Sequence, residues 1–136
     1  MVGLLASGVA CAEAPSEDVA PVEQGKQLYL SNCAACHGIQ GEGTPNWQVP
    51  LPDGRYLPPP HDSKGHTWHH PDGLLFRYVK EGGAALNIPG FVSGMPAFGD
   101  DLSDQEIRAV LGHIKTFWGP EERSFQAEVS RRDPFP

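Results

Sequence analysis

The sequence predicts an all-α domain of three to four helices that are joined by long, irregular loops. Three segments, 22–32, 70–82 and 103–118, carry helix-boundary residues or helically spaced apolar residues. The 16 glycines and 14 prolines make up more than a fifth of the 136 residues, so much of the chain must be loop. A composition of 39% hydrophobic and 20% charged residues suits one packed domain and argues against wholesale disorder.

The first helix is predicted over residues 22–32. Pro21 stands at a first-turn position, where its fixed φ and its missing N–H suit the start of a helix. Gly25 and Tyr29 then lie on the same face, one turn apart. Because a glycine inside a helix costs about 1 kcal/mol relative to alanine, Gly25 predicts that another helix packs closely against that face.

A C-x-x-C-H motif, Cys33-Ala34-Ala35-Cys36-His37, follows the first helix directly. Each thiol of such a motif can add across one vinyl group of a porphyrin, and the adjacent imidazole then lies beneath the iron as an axial ligand. A thioredoxin-like site would need a preceding strand, and a zinc site needs four ligands. The motif therefore predicts one covalent haem c, with a Cys33–Cys36 disulfide or zinc as the alternatives.

The long segment that follows, 38–69, is predicted to be mostly loop, with a small β-hairpin within residues 44–60. The hairpin prediction rests on Asp53-Gly54, a turn dipeptide that stands between apolar residues. Three prolines at positions 58–60 come next.

Four of the six histidines lie within ten residues of this loop: His61, His66, His69 and His70. Such a density is compatible with a second metal site for copper or zinc, to which Asp62 would add a carboxylate. The alternative is that the segment lines the edge of a bound haem, where histidine and tryptophan N–H groups donate to the propionates.

The last two helices have clear boundary signals. The second helix follows Pro71 and closes at Gly82-Gly83. The last helix opens with a capping box of Ser103 and Glu106, and Gly119-Pro120 stops it. Its apolar positions follow helical spacing and predict a core face, namely Ile107, Val110, Leu111, Ile114 and Trp118.

Met95 is the candidate for the second axial ligand of a haem iron. It is the only methionine apart from Met1, and it lies 58 residues after His37 in a loop between Gly94 and Pro96. A methionine that only fills a core would more naturally lie on a helix face. The alternatives are a structural Met95, or a histidine of the 61–70 loop on the iron. A His–Met pair raises the reduction potential relative to two histidines.

These motifs together resemble those of the bacterial class I monohaem c-type cytochromes, over about residues 20–118. Members of that family carry a glycine and an aromatic residue at four-residue intervals before the first haem cysteine, as do Gly25, Tyr29 and Cys33 here. The methionine loop 94–98 and the opening of the last helix, 102–107, also resemble the family's segments, in the same order.

The resemblance implies a cytochrome c-like fold, with three to four helices around one haem c that is bound by Cys33, Cys36, His37 and Met95. It implies that the last helix crosses the first near Gly25, and that a carbonyl of prolines 58–60 bonds the axial histidine. It favours the propionate edge over a second metal for the histidine loop, and packing over ligation for His113. Candidates for the apolar haem pocket are Tyr29, Leu75, Phe91, Phe98, Ile107 and Leu111.

The chain divides into four predicted parts. Residues 1–12 are uncharged, too short to span a bilayer, and similar in length and small-residue ending to the apolar region of a signal peptide. The alternative is lipid attachment at Cys11, which would tether the protein to a membrane. An acidic linker, 13–20, leads to the cytochrome domain, 21–119. The extension 120–136 is predicted to be either a short amphipathic turn packed on the domain or a solvated tail.

An iron with two protein ligands has no open coordination position, so the sequence predicts one-electron transfer by a protein that is not an enzyme. The net charge of −7 disfavours nucleic acid and favours redox partners with a basic patch. We expect a monomeric, periplasmic carrier of a respiratory chain. The alternatives are a dedicated haem subunit of a dehydrogenase or oxidase complex, and a haem or metal sensor that uses the 61–70 loop.

Overall fold

Five α-helices provide the regular structure of residues 19–136, the part of the chain that this computed structural model describes. They are α1 (Val19–Asn32), α2 (Ala34–His37), α3 (Asp72–Glu81), α4 (Asp104–Ile114) and α5 (Pro120–Ser130). Short 3-10 helices cover Thr67–His69, Gly83–Leu86 and Lys115–Phe117. The predicted all-α class is confirmed. The expectations for the segment 1–12, for Cys11 and for most of the linker lie outside the described residues.

The crossing of α1 and α4 forms the centre of the domain, as predicted. A methyl group at Gly25 would overlap the backbone carbonyl of Ala109, so only glycine lets the two helices approach this closely. The core lies beside this crossing and includes Tyr29, Ile107 and Val110, which are fully buried. The packing explains why α1 retains a residue that weakens isolated helices.

The beginning of α4 has the predicted capping box, but its end differs from the prediction. Ser103 Oγ accepts a hydrogen bond from the N–H of Glu106, whose carboxylate accepts from the N–H of Ser103. The helix ends at Ile114, a single 3-10 turn follows, and Trp118 is extended. Trp118 thereby directs its indole N–H to the carbonyl of His61 at 2.7 Å. The helix was expected to reach Trp118 and ends four residues earlier.

The C-terminal extension packs on the domain as an 11-residue helix, α5. Gln126 is buried, and its amide donates to Asp72 Oδ1 at 2.7 Å and to the carbonyl of His70 at 3.3 Å. Beyond the helix, Asp133 accepts two hydrogen bonds from the Arg77 guanidinium. Of the two predictions for this segment, packing on the domain is therefore confirmed, by a full helix instead of a short turn.

The β-hairpin expected within residues 44–60 is wrong. The tight turn does form: the N–H of Leu51 donates to the carbonyl of Arg55 at 2.7 Å, and the N–H of Gly54 donates to the carbonyl of Leu51 at 2.8 Å. No strand follows in the described part of the chain, and Arg55 instead forms an isolated parallel bridge with Val92. Prolines 50, 52 and 58–60 flank the turn, and their missing N–H groups cannot support a ladder.

Across residues 19–136 we find no helix of the length and apolar character that a bilayer crossing requires.

Candidate haem site

The C-x-x-C-H motif forms one helical turn that continues from α1. The N–H of Cys33 donates to the carbonyl of Tyr29 at 2.8 Å, and the N–H of His37 donates to the carbonyl of Cys33 at 2.9 Å. Both thiols are free: Cys36 is exposed, whereas Cys33 is partly buried against the core. Burial, and then the neighbouring Cys36, raise the pKa of the Cys33 thiol to about 11. The two thiols therefore stand one turn apart on a fixed backbone.

His37 is buried, with 7% of its surface exposed, and one of its ring nitrogens is already engaged. Its Nδ1 lies 2.9 Å from the carbonyl oxygen of Pro59, to which Nδ1–H donates. This bond selects the tautomer in which Nε2 carries the free lone pair that a metal needs. Burial lowers the pKa of His37, against the opposing effect of the Pro59 bond. The structure thus identifies Pro59 as the proline that the sequence left undecided.

Two loops lie together behind His37. The N–H of Gly43 donates to the carbonyl of His37 at 2.7 Å, and the N–H of Thr44 donates to the carbonyl of Pro58 at 3.0 Å. Gly43 has φ +65°, and a side chain there would overlap the backbone nitrogen of Pro60. Glycine at this position therefore permits the contact that brings the Pro59 carbonyl to the imidazole.

Met95 lies partly buried on the hydrophobic core that Cys33 also contacts. Its backbone is fixed at both ends: its N–H donates to Ser93 Oγ at 3.2 Å, and its carbonyl accepts from the N–H of Gly83 at 3.1 Å. Ser93 Oγ also accepts a hydrogen bond from the Tyr78 hydroxyl at 3.1 Å. The methionine loop is therefore held against α3 through Tyr78 and the residues that follow the helix.

The apolar residues predicted to line the pocket are mostly found together. Tyr29, Ile107 and Leu111 are buried in the core, and Leu75 and Phe98 pack against it. Phe91 is different, because it stacks on Tyr56 at 5.3 Å between ring centroids and lies outside that cluster.

Each of the four histidines of the loop packs its ring against another ring. His61 stacks on His37, and His66 stacks on Trp47. His69 lies against Trp68, while His70 meets His66 edge-on. Within residues 19–136 we find no group of three or more His, Cys, Asp or Glu side chains arranged to hold a metal ion. The geometry therefore gives the hypothesis of a second metal no support.

His113 packs as an aromatic ring. It is buried, and its ring lies 5.4 Å from that of Tyr29 and 5.0 Å from that of Phe117 between centroids. These contacts agree with the predicted structural role.

Trp68 provides an independent test of whether the residues fit a haem. Among the described residues, its Nε1 is the one buried side-chain nitrogen or oxygen without a hydrogen-bond partner. A buried, unpaired donor costs about 1–3 kcal/mol, so an acceptor at this position is expected. A haem propionate is such an acceptor, and Trp68 packs on the same core as Cys33 and Met95. The residues present therefore fit a haem with its carboxylate edge near Trp68.

The crossed helices, the C-x-x-C-H turn and the bonded histidine define a c-type cytochrome domain, a class of electron carrier that binds haem c covalently. Residues 20–114 match the family described as cytochrome C oxidase, cbb3-type, subunit III, and the chain belongs to that family. The gluconate 2-dehydrogenase cytochrome c subunit of Pantoea cypripedii is 28% identical over 113 residues. The matched region covers 82% of this chain and 23% of that relative, so the chain spans less than a quarter of the relative's length.

Three contributors to the site were not predicted from the sequence. They are the flat stacking of His61 on His37, the bond between His61 and Thr67, and the attachment of the methionine loop to Tyr78 through Ser93. In the sequence, the stacking of His61 on His37 was indicated only by the position of His61, two residues after Pro59.

Proposed function

We propose that the chain is a one-electron carrier whose haem c is attached through Cys33 and Cys36 and ligated by His37 and Met95. The observation that carries this proposal is the buried His37, whose Nδ1 is bonded to the Pro59 carbonyl at 2.9 Å. That bond leaves the lone pair of Nε2 available to a metal. When bound, the haem supplies the iron that alternates between the ferrous and ferric states.

The protein residues would hold both ligands and keep water away from the iron. His37 is fixed by Pro59, and the backbone of Met95 by Ser93 and Gly83. The core residues Ile107 and Leu111 provide an apolar environment. With His37 and Met95 both bound, the iron would have no open position for O₂ or peroxide, and its chemistry would be electron transfer.

The optical spectrum of the oxidised protein tests the Met95 ligand. We expect the charge-transfer band of a methionine–Fe(III) bond in the wild type, and its loss in Met95→Ala. Phe98→Leu is the matched control, since it alters an apolar neighbour in the same loop and should retain the band. Absence of the band from the wild type, or its retention in Met95→Ala, would refute the ligand assignment. His66→Ala and His70→Ala would then test the histidine loop.

We further propose that the carrier works in the periplasm, where its acidic surface meets basic partners. The support is the signal-like segment 1–12, the net charge of −7, and the extracytoplasmic setting in which bacteria attach haem to C-x-x-C-H motifs. Subcellular fractionation for covalent haem tests the compartment. Electron-transfer rates with a basic partner should fall as ionic strength rises, and rates that do not change would exclude charge steering.

A second candidate is a dedicated haem subunit of a dehydrogenase complex. The specific observation in its favour is that the relative from Pantoea cypripedii is described as a dehydrogenase cytochrome c subunit. Affinity purification of the tagged chain from its native cells separates the two functions. A stoichiometric flavin- or quinone-containing partner that survives a salt wash supports the subunit, and a lone monomeric cytochrome supports the diffusible carrier.

A further inference from the structure

The side chain of His61 lies flat against the imidazole of His37. The two ring centroids are 4.0 Å apart, and the ring planes are inclined by 26°. This is a stacked contact over the ring face, whereas the Pro59 carbonyl contacts the ring at Nδ1. The two neighbours therefore restrain different movements of His37.

His61 is itself held by three hydrogen bonds, one at its ring and two at its backbone. Its Nδ1 is hydrogen-bonded to Thr67 Oγ1 at 2.8 Å, and Thr67 is buried. Its N–H donates to the carbonyl of Gly41 at 2.7 Å, and its carbonyl accepts from the Trp118 indole at 2.7 Å. An imidazole with both its backbone and its ring anchored can act as a rigid surface for a neighbouring ring.

A single hydrogen bond at Nδ1 selects the tautomer of His37, but it leaves the ring free to rotate about the direction of that bond. A rigid ring at stacking distance opposes that motion, because rotation would drive the edge of one ring into the face of the other. Groups that contact a ligating histidine from outside orient it and tune the metal. Stacking on His61 thus restrains a rotation of His37 that the Pro59 bond leaves open.

We propose that His61 is a positioning residue that, together with the Pro59 carbonyl, sets the plane of the His37 imidazole, with Thr67 holding the His61 ring in place. This proposal rests on the proposed function, in which Nε2 of His37 ligates the iron. The orientation of an axial imidazole determines how unpaired spin is distributed over a ferric haem. It is therefore visible in the hyperfine-shifted haem methyl resonances and in the anisotropy of the electron paramagnetic resonance spectrum.

Three variants test the proposal in the haem-loaded protein. His61→Leu removes the flat ring and should change the order or the spread of the four haem methyl resonances. His61→Phe restores a flat ring and should bring the pattern back toward that of the wild type. Thr67→Val removes the bond to Nδ1 while keeping the side-chain volume, and should produce a smaller change in the same direction as His61→Leu.

His113→Phe is the matched control. This histidine is also buried against Tyr29, but its ring contacts are with Tyr29 and Phe117 and not with His37. The control should leave the methyl pattern and the electron paramagnetic resonance anisotropy unchanged, even if the melting temperature shifts. A loss of stability without a change in the haem spectra is what a merely structural role would produce.

The outcomes separate this proposal from the proposed function. A methyl pattern in His61→Leu identical to that of the wild type, with the methionine band intact, overturns the positioning role alone. If His61→Leu fails to bind haem, an unchanged pattern in Thr67→Val overturns it instead. A wild-type spectrum without axial histidine ligation overturns both proposals, and that result is obtained before any variant is made.

Discussion

The two sides of the candidate haem site are built differently. On the His37 side, the imidazole is buried, bonded at Nδ1 to Pro59 and stacked on His61. On the Met95 side, the hydrogen bonds hold only the backbone, and the residues leading to the loop include the half-exposed Ile88 and Val92. The comparison indicates one ligand whose position is fixed by its surroundings and one whose side chain is held by packing alone.

This difference has a chemical consequence for a redox protein. A thioether has no hydrogen-bond donor and is at most a weak acceptor, so its environment can position it only through its backbone and through van der Waals contact. An imidazole offers a second nitrogen and a flat face, and here both are used. We therefore expect substitutions and denaturant to displace the Met95 side chain first, and to displace His37 only when the fold itself is damaged.

The largest contrast is expected between His37→Ala and Met95→Ala. His37→Ala removes a buried ring and leaves the Pro59 carbonyl without its donor, so we expect loss of covalent haem incorporation and of cooperative unfolding. Met95→Ala should retain the haem and the helical circular dichroism, and it should open the iron to carbon monoxide. Pyridine haemochrome assays and carbon monoxide titration provide the measurements. Equal haem content in the two variants would contradict the asymmetry.

Gly25→Ala should damage both sides together, because it separates the helices that support them. The added methyl group would overlap the Ala109 carbonyl, and overpacking of this kind typically costs about 1–3 kcal/mol. Gly112→Ala is the matched control in α4: its added methyl group meets no atom within 4 Å, and it should raise stability by about 1 kcal/mol. Urea unfolding of the holoprotein measures both, and a tolerated Gly25→Ala would refute the close crossing.

Ser93→Ala should loosen the Met95 side alone. The Ser93 hydroxyl accepts hydrogen bonds from the Tyr78 hydroxyl and from the N–H of Met95, and losing them should cost about 1 kcal/mol. We expect faster displacement of the methionine by added imidazole, with unchanged haem methyl order. Ser31→Ala is the control, since Ser31 lies exposed on α1. A Ser93→Ala variant with the wild-type displacement rate would show that these bonds do not hold the loop.

The smallest expected effect is a pH dependence of stability that comes from His66 and His70 of the histidine loop. Burial lowers the pKa of His66 and of His70, and their neighbouring histidines add to the shift. The unfolded chain, with histidine pKa values of about 6.5, then binds more protons than the folded chain. The contribution of these two histidines to stability should therefore be fully present above about pH 6.5. It should be lost as the pH falls through their lowered pKa values in the folded protein.

The double variant His66→Gln, His70→Gln tests this dependence through urea midpoints at pH 7.5 and 5.5. Its midpoint should change less between the two pH values than that of the wild type. The segment 82–99, which carries Met95, contains no histidine, so the methionine band of the folded protein should be unchanged over this range. An unaltered pH slope in the double variant would exclude these histidines as its source.

Features that depend on residues three or four positions apart could be predicted from the sequence. The C-x-x-C-H turn and the capping box of Ser103 and Glu106 have this property, whereas α1 begins at Val19, three residues before the predicted start. A close helix contact at Gly25 was also predictable, because a glycine inside a helix has few other physical reasons to be there, whereas its partner α4 was expected only from the family resemblance. The turn and the capping box are predictable because chemistry within four residues determines them.

Features that depend on two distant loops meeting could not be predicted. The choice of Pro59 among three prolines requires that Gly43 lie against Pro60. The sequence left open whether the C-terminal extension packs on the domain, because that depends on contacts such as the bond between Gln126 and Asp72, 54 positions apart. The false hairpin has the same origin. Asp53-Gly54 does turn the chain, but the bridging partner of Arg55 is Val92, which no local pattern identifies.

A denaturant titration of the oxidised holoprotein, followed in two signals, tests the central claim most directly. One signal is the methionine–Fe(III) charge-transfer band, and the other is the helical circular dichroism. His37 is held rigidly, whereas the Met95 side chain is held by packing alone. We therefore expect the band to be present in the native protein and to disappear at a lower denaturant concentration than the helical signal. A band that is absent from the start, or that is lost only together with the helices in one transition, would contradict it.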